Sequence, residues 1–287
     1  MARRPLFRID ANNTSNINPL NTDMMFDQAF SEVEQAPIDT YFQKTTSLII
    51  LINPTAFSSL MANLVVLGYI SVFESYMREI IRKTVLIDSF SRNLCESMNL
   101  SYGAAISHEP KLLPEAILED ISFAGKENIK SSIIQFTGIK GHLPNSFSLA
   151  LDEFDKVCQV RHCLVHRFGK LGTKNAIKLG LNNHKACIEK PLKLDYLSLQ
   201  EIQHTCNVVV KEINNYLFNG LMKRLIVDVN QNDKKITNTV WKWNFNSDRS
   251  LFSKYYKTFV STFERTTVHS NIKEAYNIYR DFYRSIR

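Results

Sequence analysis

Apolar residues recur at helical spacing in three long stretches, and these set the expected architecture. The first begins at Asn53, a good N-cap, with Pro54 at the first helical position. Leu60, Leu64, Leu67, Ile70, Phe73, Met77, Ile80 and Ile81 then share one broad face of a helix of about 30 residues. Along it, Glu74 and Arg78 stand one turn apart and are placed to pair, as are Glu79 and Lys83. The second stretch is "SFSLALDEFDKVCQVRHCLVHRFGK". Leu149, Leu151, Phe154, Val157, Val160, Leu164 and Val165 form its apolar face, and Gly169 is a natural stop. The third is "SLQEIQHTCNVVVKEINNYLFNGLMKRLIV", where Ser198 and Glu201 read as a capping box.

Between these stretches the pattern is weaker. Residues 1–25 are polar and rich in Asn, which reads as a loose arm. "MMFDQAFSEVEQ" suggests one short helix, and "PIDTYFQKTTSLIILI" a helix or an extended lead-in. Residues 88–143 suggest short helices joined by loops. Alternating stretches in "TKNAIKLGLNNHKACIEKPLKLDYLS" suggest a small hairpin turning at Asn182 and Asn183. The last 50 residues read as a brief extended piece and two amphipathic helices. The expected class is therefore all-α, with a small hairpin and a helical C-terminal extension.

Composition agrees with this class. Gly and Pro are scarce, at 9 and 8 among 287 residues, whereas all-β folds need many turns. A hydrophobic share of 44% is enough for a sizeable core. "MARRPLFRID" is followed by no apolar run, so no signal peptide is read, and the most apolar stretches fall short of the roughly 20 residues that span a bilayer. The five cysteines are odd in number and form no C-x-x-C pair, which suits reduced thiols in a cytoplasmic protein. The charge is uneven. Leu221 to Arg287 holds 13 Lys and Arg against 6 Asp and Glu, which accounts for the whole net charge of +7. An anionic partner would meet the chain there, or the surplus simply keeps a helical tail soluble.

The stretch "QVRHCLVHRFGK" carries the candidate chemistry. It places Arg161, His162 and His166 in the last two turns of a helix with no acidic residue beside them. His162 and His166 share a face, while Arg161 and His166 point roughly 140° apart and lie about 7.5 Å apart along the axis. Imidazoles that titrate near neutrality suit proton transfer at a ribose 2′-OH or a leaving oxygen. A guanidinium suits the charge of a five-coordinate phosphorus. A second reading is structural, because cations near a helix C-terminus complement the macrodipole. A zinc site is the weakest reading, since no H-E-x-x-H glutamate lies between the histidines, although Cys158 and Cys163 are close in sequence. Arg167 and Lys170 follow the cluster and are candidate RNA contacts. In the tail, Lys242 and Arg249 lie among Trp241, Trp243, Phe245, Tyr255 and Tyr256, which reads as an RNA surface or as two helices with aromatic cores.

The span from Arg161 to His166 has the form R-x4-H late in a core helix and resembles the R-x4–6-H motif of HEPN-domain proteins. The apolar helix "GYISVFESYMREII", with its embedded Glu, resembles the first HEPN core helix. The order of parts is similar too: long helix, insertion, motif helix, polar crossover, final long helix. The resemblance covers residues 45–225, leaving an arm at 1–44 and a basic extension at 226–287. It implies a bundle that forms a homodimer through its motif helices and a metal-independent endoribonuclease with no cofactor, acting as a toxin or in antiviral defence. Arg161 and His166 would be the catalytic pair, His162 the polar residue supporting them, and Glu74 a further support or a surface ion-pair partner. RNA and an antitoxin or other regulatory partner are implied, and no membrane. A non-catalytic HEPN scaffold for RNA or protein is the alternative. Some HEPN toxins carry a Tyr two residues after the His; Phe168 stands there and has no hydroxyl to modify.

Overall fold

The longest apolar periods of the chain become a bundle of helices. The computed structural model describes residues 11–12, 15, 17–226, 229–231, 234–236, 241–264 and 269–285. The chain divides into two units, one up to Glu34 and one from Gln35 to Arg287. In the first unit the described side chains are exposed, and the short helix expected there is a single 3-10 turn, Asp23–Met25.

Among its described residues the second unit is helical apart from a two-stranded antiparallel pair, β1 (Val229–Gln231) and β2 (Lys234–Ile236). Its central helix is α2 (Ser59–Ile87), with α1 (Pro37–Ile49) packed along it. Asn53 and Pro54 start only one 3-10 turn. The cap of α2 is Ser58, whose hydroxyl accepts from the Met61 N–H at 3.3 Å. The buried stripe is Val65, Val66, Tyr69, Ile70, Phe73, Tyr76, Met77, Ile80 and Ile81. Leu60 and Leu64, expected inside, are 55% and 54% exposed. The spacing is helical, but the inward face rotates toward Ala62, Val65 and Val66 in the first turns. By length and composition α2 would also pass as a membrane span; the residues just listed are spent in the core instead.

Two more long helices close the core against α2: α7 (Asn145–Arg167) and α9 (Tyr196–Ile226). Phe73 and Phe154 lie 4.2 Å apart between ring centres, joining α2 to α7. The Tyr41 hydroxyl donates to Asn207 Oδ1 at 2.9 Å, joining α1 to α9. The cap of α9 is Asp195, not Ser198. Its carboxylate accepts both the N–H and the hydroxyl of Ser198, at 2.8 and 2.7 Å. The insertion folds into α3 (Ser89–Cys95), α4 (Tyr102–Ser107), α5 (Leu113–Ile117) and α6 (Lys126–Thr137).

The hairpin expected at Asn182 and Asn183 is a helix, α8 (Thr173–His184), broken locally at Gly180 with φ 99°. Packing overrides the alternating pattern here. Neighbouring Asn175 and Ala176 are both buried against α7, which an alternating strand cannot do on one face. The helices α10 (Phe245–Phe259) and α11 (Ile272–Ser285) belong to the same compact unit as the bundle. Trp241, Phe252, Tyr255, Phe259 and Tyr276 join the main core. The buried Asp248 accepts from the Lys242 and Asn244 N–H groups and from the Tyr276 hydroxyl, at 2.8, 3.1 and 2.6 Å. Asp39, at the start of α1, accepts from Ser261 and Thr262 just after α10. The units divide after Glu34 and not after residue 44, and among the described residues those beyond 225 belong to the same unit as the bundle and join its core.

Candidate functional site

The end of α7 is closed by backbone geometry that only a few residue types favour. Phe168 takes the left-handed conformation at φ 50° and Gly169 follows at φ 89°. The Gly169 N–H then donates to the Cys163 carbonyl at 3.0 Å, satisfying one of the orphan acceptors. The helix thus includes His166 and Arg167 in its last turn. The stop falls one residue earlier than a Gly169 cap would give, and Phe168 is left 83% exposed.

The motif residues lie together at this end. His162 and His166 are exposed, with ring centres 4.5 Å apart and planes inclined by 51°. Arg161 is half-buried. Among the described residues none of the three is paired with a carboxylate. The helix C-terminus favours these positive charges but supplies only partial charge. His162 is held below the usual histidine range. Partial desolvation is the largest cause, followed by the charges of His166, Arg161, Lys178 and Lys174. Its neutral form is therefore favoured, and it is available to accept a proton near neutrality.

Two of those charges were not foreseen. Lys174 and Lys178 stand on α8, in the stretch read as a hairpin. Alternation would have put both on one strand face without saying which helix that face met. Their i,i+4 spacing is the signal in the sequence, but it carries meaning only once the segment is known to be helical. The link between the helices is a buried amide pair. Asn175 Nδ2 donates to Gln159 Oε1 at 3.1 Å, and this fixes how α8 lies on α7.

Other candidates have different duties. Arg167 donates through Nη2 to both oxygens of Glu189, at 2.6 and 2.5 Å. Gly172 makes room for it, since a Cβ there would sit 2.7 Å from Arg167 Nη1. Arg167 thus holds the crossover, where Leu171 and Glu189 exchange backbone bonds with their neighbours, and its charge is already matched. Lys170 is exposed, its backbone bridged to Pro191. Glu74 does not pair with Arg78. Its Oε1 accepts the Phe123 N–H at 3.1 Å and the Ser122 hydroxyl at 3.3 Å. Arg78 instead donates to the carbonyls of Leu118 and Ile121 and covers the Phe123 ring. Both side chains pin the turn before α6. Glu79 and Lys83 do pair, at 2.9 Å. Lys242, just before α10, and Arg249, in its first turns, are exposed; α10 packs against α1, α2, α9 and α11, whereas His162 and His166 stand on α7.

The cysteines near the motif are buried, and desolvation above all keeps the Cys158 thiol protonated. Among the described residues no group of three or more His, Cys, Asp or Glu side chains is gathered to hold a metal ion. No known protein family, curated protein or solved structure matches the chain. The functional reading therefore rests on the residues themselves.

Proposed function

We propose that the chain is a metal-independent endoribonuclease of HEPN type, with its centre at the end of α7. One observation carries this reading: Arg161, His162 and His166 crowd two helical turns, and among the described residues no carboxylate pairs with them. A phosphodiester supplies the missing negative charge. The neutral imidazole of His162 takes the proton of a ribose 2′-OH, and the freed oxygen attacks the adjacent phosphorus. The bond from phosphorus to the 5′ oxygen breaks, and His166, as the general acid, gives that oxygen a proton. The products are a 2′,3′-cyclic phosphate and a 5′-hydroxyl. Arg161 stabilises the extra negative charge on the five-coordinate phosphorus.

Pairing of two copies through α7 completes the reading. Arg161 and His166 diverge on one helix, so a second copy brings complementary groups to the same phosphate. The exposed apolar side chains of Val165 and Phe168 beside the motif give such a pairing something to cover.

The test is cleavage of total and transfer RNA in excess EDTA by wild type and His166→Ala, with cyclic-phosphate ends assayed. Wild type is expected to cut and the variant to lose roughly 100-fold or more of the rate. Equal cleavage by both refutes the assignment. Binding of RNA by both with cleavage by neither favours a non-catalytic scaffold.

A further inference from the structure

Helix α8 lies against the motif helix with a fixed rotation. Asn175 and Ala176 are buried, and the Asn175–Gln159 bond at 3.1 Å locks them there. At 100° per residue, Lys174 and Lys178 then fall on one edge of α8, about 40° apart in rotation and about 6 Å apart along the axis. Both are exposed, and among the described residues neither pairs with a carboxylate. Like charges at this spacing repel one another, and both also bear on His162 across the gap. A local helix therefore places two lysines, unpaired among the described residues, beside the cluster of Arg161, His162 and His166. An anion with charge at regular intervals can meet both lysines together. The interval of one helical turn is close to the reach between neighbouring phosphates of an extended strand.

We infer that α8 is a phosphate rail, on which Lys174 and Lys178 bind successive backbone phosphates of single-stranded RNA and lead the strand past Arg161 and His162. This rests on the reading of the α7 end as an RNA site and adds the direction from which the strand enters. The rail recognises backbone charge alone, since neither ammonium is placed by a partner to read a base. Sequence preference would come from elsewhere.

The experiment separates binding from chemistry. A 2′-O-methyl oligoribonucleotide has no free 2′-OH, so it binds without being cut. Its affinity is measured by fluorescence anisotropy from low to moderate salt, for wild type, the double variant Lys174→Ala/Lys178→Ala, the double variant Lys174→Arg/Lys178→Arg, and Lys111→Ala as a charge-loss control. Loss of two phosphate contacts should flatten the slope of log affinity against log salt by about 1.4 and weaken binding roughly tenfold or more at 0.1 M salt. The arginine pair should bind as wild type does, and Lys111→Ala should leave both quantities unchanged. Undiminished affinity and slope in the alanine pair overturn the rail, even if wild type cuts RNA. A lysine-dependent slope, with unmodified RNA left uncut by wild type in the EDTA assay, keeps the rail and removes the ribonuclease. Failure of wild type to bind, or lysine-dependent binding to anionic vesicles but not to the oligonucleotide, also overturns the rail.

Discussion

Replacing Asp88 with Ala tests how the bundle and its C-terminal helices are joined. Asp88 lies between α2 and α3, and its side chain is 9% exposed. One carboxylate oxygen accepts the Ser91 N–H at 2.8 Å, the Ser91 hydroxyl at 2.6 Å and Arg224 Nη2 at 2.5 Å. The other accepts the Tyr255 hydroxyl at 3.1 Å. Arg224 also donates to the Thr137 carbonyl and covers the Phe90 ring at 4.4 Å. Four elements thus converge: α3, the end of α6, α9 and α10. Alanine leaves a guanidinium with 17% exposure and no counter-charge, a buried tyrosine hydroxyl without its acceptor, and α3 uncapped. Breaking a buried ion pair from one side costs about 3–5 kcal/mol. The lost cap costs about 1 kcal/mol, and the two overlap because the same carboxylate makes both contacts. A total of about 4 kcal/mol is expected from urea unfolding followed by circular dichroism. Arg224→Met alone should cost less, because it leaves Asp88 its Ser91 and Tyr255 donors. The double variant should fall short of the summed losses by about 2 kcal/mol, the signature of a direct pair. A cost below about 1 kcal/mol for Asp88→Ala, together with no coupling in the cycle, refutes the reasoning and makes the pair a surface contact.

Other outcomes follow from the same geometry. His162 is held below the usual histidine range, so if the proposed ribonuclease uses it as base, the limb of the pH–rate profile that reports its deprotonation should lie below the ordinary value. The alanine pair at Lys174 and Lys178 should move that limb upward, readable by NMR titration of the ring; an unmoved titration removes the lysines from its surroundings. The stability sign runs the same way. The unfolded chain binds this proton more readily, so His162 lowers stability as pH falls from the ordinary histidine value through the depressed folded one. Glu74→Ala frees the Phe123 N–H and should cost about 1–2 kcal/mol of stability while the folded fraction cleaves RNA at the wild-type rate. A 100-fold loss of rate at unchanged stability would return Glu74 to the site.

Several features were readable from spacing because their cause is local. Helical hydrogen bonds join residues four apart, so apolar periods and caps mark helices wherever the chain later packs. The length of α2, the end of α7 and the amphipathic nature of α10 and α11 were legible for this reason. So was the crowding of Arg161, His162 and His166, since three residues within two turns cannot be separated by folding. The aromatic tail was legible only as two alternatives. The burial of Trp241, Phe252, Tyr255 and Tyr276 favours the core reading for these four rings.

What tertiary structure decided was the choice among partners that local spacing leaves equal. Glu74 stands one turn from Arg78, yet a backbone N–H 49 residues away takes its carboxylate. Arg167 looked like a companion of the histidines, but Glu189 across the crossover claims it. The segment around Lys174 alternates like a strand, but it is a helix packed on α7 through buried Asn175 and Ala176 and the Asn175–Gln159 bond. An exposed i,i+4 ion pair contributes a few tenths of a kcal/mol, whereas an unsatisfied buried N–H costs about 1–3 kcal/mol. The chain by itself determined where its three long helices lie and which cations share the end of α7; long-range burial, the larger energy, determined the helix at α8, which charges are matched and which are left facing outward.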